Sequence, residues 1–425
     1  MSDTIFALSS GVPPAAIAII RISGPHAGQA LRSLTGRAIE PRRPLLAKLT
    51  DAHEAILDEA LVLWLPGPGT ATGEDLAELH CHGGRAVIAA VQSALSAIDG
   101  LRAAQAGEFT RRAFANGRMD LAEAEGLADL LSAETEIQRS VAMAMAGGGF
   151  SSQVEVWRER TLRFSAEVEA ALDFSDEDDV DAMRADFAGD LRGFASELAA
   201  WLDRPTAQRL GEGFKVVLAG PPNAGKSTLF NALVESEAAI TSPTAGTTRD
   251  VIERSVGIGG IPFTLVDTAG LRSEVGDTIE AIGVEKAQEQ LVRADLVLWL
   301  GAEGQGPEGA WEVEAQCDDP DHQAKTAPKA KISAKTGEGM DDLKARLIEC
   351  ARSAMPKPGE AALNARQHEL VGAAKRALMG AAEQKDPLLI AEELRNARVA
   401  FDRLIGRATT EDMLDTLFGR FCIGK

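Results

Sequence analysis

One run of residues has the types and the spacing needed to bind a phosphate chain. It reads Gly220-Pro-Pro-Asn-Ala-Gly-Lys-Ser227 and lies between an apolar run at residues 214–219 and a helix-like stretch at residues 228–234. This order of strand, glycine-rich loop and helix is that of a P-loop. Glycines let backbone N–H groups face a phosphate, the lysine neutralises the outer phosphates, and the serine hydroxyl can bind magnesium. We therefore expect a nucleotide to contact Asn223, Ala224, Gly225, Lys226, Ser227 and Thr228.

Two further segments have the residues of a nucleotide-dependent switch. Ser242-Pro-Thr-Ala-Gly-Thr-Thr-Arg249 carries a threonine pair that can give magnesium a second hydroxyl from a loop that orders around the third phosphate, although an ordinary turn is the alternative. Asp267-Thr-Ala-Gly270 follows a strand-like run at residues 261–266, so its aspartate can hold magnesium through water and its last amide can meet the third phosphate. The predicted contacts here are Ser242, Pro243, Thr244, Ala245, Gly246, Thr247, Thr248, Asp267, Thr268, Ala269 and Gly270.

The base-binding residues are less clearly marked. Ser333-Ala334-Lys335, after a short apolar strand at Ile332, is similar to the guanine-facing loop of GTPases. The usual Asn-Lys-x-Asp is absent, and the nearest candidate is Ala315-Gln-Cys-Asp-Asp319. Either Asp318 or Asp319 could accept hydrogen bonds from guanine, or both could be solvated loop acids. Guanine is therefore favoured over adenine mainly by the order of the motifs and by Ser333, Ala334 and Lys335.

The groups that would drive hydrolysis are also unusual. Leu271 stands where many small GTPases carry a glutamine that orients the attacking water. A carboxylate from the following segment could orient the water instead, with Glu280 as the candidate and a solvated helical glutamate as the alternative. The sequence also has no obvious arginine finger. A monovalent cation could supply that positive charge, since Asn223 and the backbone of residues 244–247 offer hard oxygen ligands.

Composition limits the rest of the chain. Its 425 residues, 45% hydrophobic, can form two or three domains with sizeable cores. The net charge of −20 disfavours a broad phosphate-binding surface, so we expect nucleic acid to bind locally or with a partner. No apolar stretch approaches the ~20 residues that span a bilayer, and no signal pattern begins the chain, so we expect a cytoplasmic protein. The scattered cysteines Cys81, Cys317, Cys350 and Cys422 are expected to be reduced.

The segments around the P-loop unit, which we place at residues 213–353, predict two other kinds of domain. Residues 119–212 and 354–425 show helical spacing and predict one amphipathic bundle that the P-loop unit splits in sequence. Such an insertion couples the switch mechanically to the bundle. Residues 1–118 predict an α+β domain, because strand-like runs alternate with a helix near residues 86–97. The strand-like runs are residues 16–22, 60–65 and 76–80.

Polar, glycine-rich stretches in the N-terminal part are more typical of strand ends beside a small-ligand pocket than of a core. His80, Cys81 and His82 also suggest a metal site, which we disfavour on the ground that the two histidines lie on opposite faces of a strand. At the other end, Cys422 is part of a frayed tail or, because it is near a lysine, a reactive thiol.

Taken together, these motifs resemble the MnmE (TrmE) family of tRNA modification GTPases over essentially the whole chain. The resemblance implies a multidomain α/β and α protein: an N-terminal α+β domain like those that bind tetrahydrofolate, a helical bundle domain, and an inserted Ras-like P-loop G domain. It also implies a homodimer formed through the N-terminal domain and G domains that dimerise when potassium is bound. The motifs that carry it are Thr4-Ile5, Arg21-Ile-Ser-Gly24, Gly73-Glu-Asp75, His82-Gly-Gly84, Gly107-Glu-Phe109, the P-loop unit and Cys422-Ile-Gly-Lys425.

Matching positions imply the ligand sites. The family's tetrahydrofolate derivative, in methylene or formyl form, is implied near Arg21, Glu78, Arg118 and Lys425, with Arg118 at a position where relatives carry lysine. Magnesium is implied at Ser227 and Thr248, and water orientation at Glu280, a match that relies on the following Ala-Ile-Gly283 because the preceding segment is one residue longer than in relatives. The missing Asn-Lys-x-Asp weakens the prediction of guanine selectivity. Potassium is implied at Asn223, Ser242, Thr244 and Thr247.

The function implied by the resemblance is potassium-dependent GTP hydrolysis coupled to tRNA modification. With a flavin-dependent partner of the MnmG (GidA) family, in a heterotetramer, such a protein adds a carboxymethylaminomethyl or aminomethyl group to wobble uridine of certain tRNAs. Transfer RNA would then be bound mostly through the partner, and Cys422 is a candidate catalytic thiol. The alternative is a ribosome-assembly or signalling GTPase of the Era or Der kind, which lacks folate chemistry.

Overall fold

The computed structural model describes residues 3–173, 184, 186–235, 238–239, 252–268, 288–408, 410–419 and 421–424. It contains two compact units, one made of Met1–Ala128, Ser151–Glu155 and Asp402–Lys425, the other of Asp129–Phe150 and Val156–Phe401. The four-segment domain division of the sequence analysis stays a prediction. Predicted site residues that lie outside the described ranges are Ser242, Pro243, Thr244, Ala245, Gly246, Thr247, Thr248, Ala269, Gly270, Glu280 and Lys425.

Strands and helices alternate in the first part of the chain, and helices surround a run of strands in the second. The elements up to residue 132 are β1 (Thr4–Leu8), β2 (Ile17–Ser23), α1 (Ala27–Thr35), β3 (Leu45–Thr50), β4 (Ile56–Leu65), β5 (Leu76–His82), α2 (Arg85–Ser96), β6 (Leu101–Ala103), α3 (Glu108–Ala115) and α4 (Leu121–Ser132). Those that follow are α5 (Glu136–Ala146), α6 (Gly149–Asp173), α7 (Phe187–Leu202), α8 (Ala207–Glu212), β7 (Phe214–Ala219), α9 (Lys226–Glu235), β8 (Ala238–Ala239), β9 (Ile252–Ile258), β10 (Ile261–Asp267), β11 (Leu296–Trp299), β12 (Trp311–Glu314), β13 (Ala330–Lys331), α10 (Met340–Ala354), α11 (Ala365–Glu383), α12 (Pro387–Leu404) and α13 (Glu411–Phe418).

The first unit is built on a six-stranded sheet in the order β3-β4-β5-β2-β1-β6. Its pairs are antiparallel except for β1 with β6. Along β2, the buried Ala18, Ile20 and Ile22 alternate with the less buried Ile17, Ile19 and Arg21, and they pack in one core with residues of α1 and α2. Because side chains alternate between the faces of a strand, the intervening Arg21 lies on the opposite face.

The second unit contains a seven-stranded sheet in the order β13-β12-β11-β7-β10-β9-β8. The strands from β13 to β10 are parallel, whereas β9 and β8 are antiparallel additions at one edge. β10 is buried at every position, as expected of a parallel strand covered on both faces. This buried run explains why strands β7 and β10 could be predicted from apolar sequence alone.

Helices α6, α7, α11 and α12 supply the helical part of the second unit. Trp157 is fully buried, its ring lies 5.8 Å from that of Phe401, and its indole N–H donates to Glu197 at 2.9 Å. Phe194 lies 6.1 Å from the same Phe401 ring, so one aromatic core joins three of these helices. The indole nitrogen finds an acceptor, which removes the cost of burying it unpaired.

The predicted fold class is confirmed: the chain combines an N-terminal α+β domain, a helical domain and a P-loop α/β domain. Element bounds differ from the predicted ones by a few residues, as is usual for helix and strand ends. The strand predicted at Ile332 is β13, which ends one residue earlier, at Lys331. None of the helices in the described ranges is long and apolar enough to cross a membrane.

Candidate functional site

The phosphate loop begins where β7 ends and closes where α9 begins. β7 is the middle strand of the seven-stranded sheet, and ligands of open α/β sheets bind at the carboxyl ends of such strands. Gly225 has a φ of 88°, a left-handed conformation that glycine adopts without strain. Lys226 Nζ donates to the carbonyl oxygens of Gly220 and Pro221 at 2.9 and 2.7 Å. Its ammonium group therefore lies over the loop, beside the helix N-terminus that favours phosphate.

Ser227 and Asp267 meet at the expected magnesium position. Asp267 ends β10 and is paired with Leu218 of β7. The Ser227 hydroxyl donates to Asp267 Oδ2 at 2.6 Å, and Asp267 is 1% exposed. A hydroxyl and a carboxylate at a phosphate loop are the hard oxygen donors that Mg²⁺ prefers, so the residues present fit this ion. The second predicted hydroxyl, Thr248, lies outside the described part of the chain.

A cavity of about 930 Å³ opens over the phosphate loop. Its size is within the usual range for small-molecule sites. Thr268, predicted as a contact, is at its wall, and its hydroxyl donates to the carbonyl of Leu218 at 2.8 Å. The structure thus brings the P-loop residues, Thr268 and Asp267 to one place. The predicted P-loop contacts that line the cavity are Asn223, Gly225, Lys226, Ser227 and Thr228, whereas Ala224 is not part of its wall.

A second, smaller cavity of about 240 Å³ adjoins the first. Both acidic candidates, Asp318 and Asp319, line it together with Ala334 and Lys335. A hydrogen bond from the Ser333 hydroxyl lowers the pKa of the Asp318 carboxyl, which is therefore ionised at neutral pH. An ionised carboxylate accepts hydrogen bonds only, as a partner of guanine amino and imino groups must. The two candidate base segments, distant in sequence, therefore line one cavity.

Gln316 contributes to both cavities and was missed in the sequence analysis. It has a φ of 59°, and its amide nitrogen donates to the carbonyl of Asn223 at 3.4 Å. A Cβ on Gly225 would lie 3.3 Å from the Gln316 side chain, so the two loops are in close contact. The sequence signal was the alignment of Ala-Gln-Cys-Asp with Asn-Lys-x-Asp, which places Gln316 at the lysine position.

A buried carboxylate anchors the segment that follows. Glu314, at the end of β12, is 3% exposed and accepts from the backbone N–H of Lys325 at 2.9 Å. The Lys331 ammonium lies 2.9 Å from the same carboxylate. These contacts, led by the Lys325 amide, hold the pKa of Glu314 at about 2. Sequence gave no indication of this cluster, because its members are brought together only by the fold.

In the first unit, the register of β2 and β5 joins two of the predicted folate residues. Arg21 is directly opposite Glu78, and their side chains are bonded at 2.9 and 3.1 Å. His80 Nε2 lies 3.3 Å from Glu78, and the Arg21 guanidinium lies 6.0 Å from the centre of the Phe109 ring. Arg118 lies against Gly73, where a Cβ would be 3.1 Å from its side chain. The fourth residue, Lys425, is outside the described ranges.

The reason given against a metal at the histidines is wrong. His80 and His82 are two residues apart on β5 and therefore share a face. Their rings are instead used separately: His80 contacts Glu78, and His82 Nδ1 lies 2.7 Å from Asp58. Among the residues with described positions, no group of three or more His, Cys, Asp or Glu side chains could hold a metal ion.

Arg112 joins the polar N-terminal motifs into one buried network. Its side chain is fully buried and bonds to Asp3, Glu74 and Glu108 at 3.1 Å each. Glu74 also accepts from the Ser23 hydroxyl at 2.8 Å. The Arg-Ile-Ser-Gly, Gly-Glu-Asp and Gly-Glu-Phe motifs therefore meet at one arginine. Their polar, glycine-rich composition indicated a small-ligand pocket and did not reveal this structural role.

The C-terminal tail lies along the sheet of the first unit. Ile423 forms an isolated antiparallel bridge with Ala106, and Gly424 is buried against Leu8 and Ser9 at the end of β1. Cys422, which precedes Ile423 in the tail, is exposed. Because Ala7 is paired with Arg21, the tail passes close to the strand position that carries the predicted folate arginine.

The strand, loop and helix around Lys226, with the Ser227–Asp267 pair, define a P-loop nucleotide-binding protein. A family model described as the GTP-binding protein TrmE N-terminus matches residues 4–118, and one described as the MnmE helical domain matches residues 121–422. The chain therefore belongs to the MnmE family of tRNA modification GTPases.

Individual relatives agree with the family match. A tRNA modification GTPase MnmE from Erythrobacter litoralis is 61% identical over 423 residues, which cover 100% of both chains. The protein of the same name from Novosphingobium aromaticivorans is 61% identical over 437 residues, again 100% of both. Among solved structures, the G domain of the T. maritima FeoB iron transporter covers 32% of this chain and 98% of its own, at 26% identity and a TM-score of 0.23.

Proposed function

We propose that the chain is a potassium-dependent GTP hydrolase that acts in tRNA modification. The observation that carries the nucleotide part is the Ser227–Asp267 contact at a phosphate loop that also holds the Lys226 ammonium, with a cavity lined by Asp318 beside that loop. Lysine and magnesium would neutralise the phosphates, with Ser227 as an ion ligand and Asp267 as its support. The aspartate cavity would select guanine, because a carboxylate accepts from its amino and imino groups.

Potassium would supply positive charge that no described arginine brings to the phosphate loop. Asn223 is the proposed potassium ligand of the phosphate loop, where it has a left-handed conformation with a φ of 62°. The other proposed ligands are Ser242, Thr244 and Thr247, with Thr248 on magnesium and Glu280 orienting water.

The experiment is GTP turnover by the purified protein in potassium and in sodium buffer, with ATP as the control nucleotide. Turnover that is specific to GTP and stimulated by potassium would support the proposal. Equal rates in the two salts would remove the potassium part, and equal use of ATP would remove guanine selectivity.

A tetrahydrofolate derivative is the proposed second ligand. Arg21 is a cation partly neutralised by Glu78 and placed beside the Phe109 ring, and Arg118 adds a further positive charge on the Gly73 turn. Cations suit the folate carboxylates, and the aromatic ring suits its planar heterocycle. Titration of the full chain with a folate should show saturable binding that is lost in Arg21→Met.

With a flavin-dependent partner of the MnmG (GidA) family, we propose that the protein adds a carboxymethylaminomethyl or aminomethyl group to wobble uridine. The folate would provide the one-carbon unit, and GTP hydrolysis would reorganise the complex. Cys422 is an exposed candidate thiol on the tail beside β1. A Cys422→Ser variant that still modifies tRNA fully would remove it from the mechanism.

The homodimer is proposed on the open face of the N-terminal sheet. On the face away from α1 and α2, Leu46 and Leu61 are cross-strand neighbours on β3 and β4 and are 58% and 39% exposed. Ile17 of β2, beyond β5, is on the same face and is 59% exposed. Large exposed apolar side chains on one sheet face are typical of an association surface. The mass measured in solution should correspond to two copies for the wild type and to one copy for Leu61→Glu.

A further inference from the structure

One histidine holds the loop that carries the base-binding aspartates. His322 Nδ1 lies 2.7 Å from the carbonyl oxygen of Asp319, and Nε2 lies 3.0 Å from Oε1 of Glu314. The side chain is 16% exposed, so protein surrounds most of the ring. Asp319 lines the base cavity, whereas Glu314 is fixed at the end of β12.

The two neighbours of the ring require both nitrogens to be protonated. A backbone carbonyl only accepts hydrogen bonds, and so does the Glu314 carboxylate, whose pKa is about 2. A neutral imidazole has a single N–H and would turn a lone pair toward one of these oxygens. Only the imidazolium donates to both, so the arrangement is that of a cationic histidine.

The groups around the ring shift the pKa of His322 in opposite directions. The Asp319 carbonyl and then the Glu314 carboxylate raise the pKa of His322 above its usual 6.5, while Lys331 opposes them. Asp318 is the other carboxylate in range, since the His322 charge contributes to lowering its pKa. The histidine therefore loses its proton above pH 6.5.

The contact matters for the base cavity because Asp319 closes a tight turn. Its backbone N–H donates to the carbonyl of Gln316 at 2.9 Å, and Asp318 lies inside that turn. Gln316 in turn contacts the phosphate loop at Asn223. The Asp319 carbonyl also accepts from the backbone N–H of His322 at 3.1 Å. A ring that releases this carbonyl therefore weakens the hold on the turn that positions Asp318 and Gln316 and does not abolish it.

We propose that His322 is a positioning residue for guanine nucleotide binding: its doubly protonated ring fixes the turn at residues 316–319, and the affinity for nucleotide falls when the ring loses a proton. This inference rests on the proposed guanine nucleotide site and adds to it a pH dependence. Protonation and binding are linked: a group whose pKa is higher in the nucleotide-bound state favours that state at low pH. Its contribution to nucleotide affinity is lost as pH rises through the higher pKa.

The test is the dissociation constant of a fluorescent GDP on the full chain between about pH 5.5 and about pH 8.5. His322→Arg is the reference, because a guanidinium can donate to both acceptors and does not titrate in this range. The ratio of wild-type to His322→Arg constants cancels the titration of the nucleotide itself. We expect this ratio to rise about threefold to tenfold with pH, as the loss of one hydrogen bond of ordinary strength implies.

Two variants separate this role from a general effect of substitution. His322→Gln should bind GDP weakly at all pH values and show no rise against His322→Arg, because its amide keeps one donor at most toward these acceptors. His53→Gln, an exposed loop histidine of the first unit, should behave as wild type. The His322 ring signal, assigned by its absence from His322→Gln, should titrate with a pKa above 6.5.

A constant ratio, a rise that persists in His322→Gln, or a ring that titrates below 6.5 would each overturn the inference. GDP binding that does not depend on His322 would leave the proposed guanine function standing. No GDP binding at any pH, with an adenine nucleotide bound instead, would overturn the guanine function and this inference together.

Discussion

Neighbouring arginines in α3 differ in what surrounds them. Arg112 is fully buried among Asp3, Glu74 and Glu108, whereas Arg111 reaches outward to Asp415 and Glu411. Removing one partner from a buried ionic network leaves uncompensated charge. We expect Arg112→Ala to lower the free energy of opening of β1 and β2, measured by hydrogen exchange, by about 3–5 kcal/mol.

Arg111→Ala is the matched control for this prediction. Its pairs are partly exposed, so its loss should cost less than about 1 kcal/mol in the same measurement. Equal effects of the two substitutions would mean that the buried network does not stabilise the sheet.

Asp267 is the second residue whose role can be isolated. It accepts from Ser227 and so orients the proposed magnesium ligand. Loss of such supporting groups costs about 10–100-fold in metal affinity. Asp267→Asn should therefore raise the Mg²⁺ concentration needed for half-maximal GTP turnover by about that factor.

Asp295→Asn offers the same chemical change at the opposite end of the sheet. Asp295 accepts from the backbone N–H of Lys215 at 2.9 Å, at the start of β7 rather than its end. The Asp295→Asn variant should have the same magnesium dependence as the wild type. A magnesium requirement that is the same in all three proteins would contradict the role assigned to Asp267.

Helices and strands that depend on the local sequence could be predicted, whereas contacts between residues distant in sequence could not. Strand β7 coincides with its apolar run because a buried parallel strand is apolar at nearly every position, here all but Lys215, and the P-loop motif fixes where α9 begins. The turn at Gln316 and the contacts of Glu314 depend on residues that the chain brings together from β12, β13 and the loop between them. No local pattern encodes such pairings, so they could not be predicted.

The N-terminus of α5 connects the P-loop sheet to the helices of the second unit. Gln138 caps α5 through Thr135 and donates to the carbonyl of Leu210 at 2.8 Å. The N–H of Ile137 donates to Gly260, at the turn before β10, whose other end is Asp267. We propose that this tether passes movement of the sheet to the helices.

Gln138→Ala should then leave GTP turnover within about twofold of wild type and lower GTP-dependent tRNA modification by about tenfold, as the loss of a coupling of 1–3 kcal/mol implies. Gln208→Ala is the control. This glutamine is exposed, and its side-chain amide donates to Glu212, four residues further along the chain. An equal loss of turnover and modification in Gln138→Ala would mean that the residue stabilises the fold without transmitting anything.

At the scale of the whole molecule, the two chain ends belong to one unit. The tail at residues 421–424 follows α13, whose Phe418 packs with Phe421, and then runs beside β1. A proposed folate pocket near Arg21 thus takes residues from two distant parts of the sequence, residues 1–128 and the tail. Both parts must be in place before that pocket is complete.

Gly424 makes this dependence testable. Its φ is 97°, and a Cβ would lie 2.1 Å from the carbonyl oxygen of Leu8, so alanine cannot occupy the position without moving the tail. We expect Gly424→Ala to weaken folate binding by at least about tenfold while basal GTP turnover stays unchanged, since the phosphate loop is in the other unit. Gly36→Ala shares a left-handed φ of 68° but meets nothing within 4 Å, and so controls for backbone strain alone. Unchanged folate binding in Gly424→Ala would show that the tail covers the end of β1 without completing the pocket, and Cys422 would then lose its structural basis as a catalytic thiol.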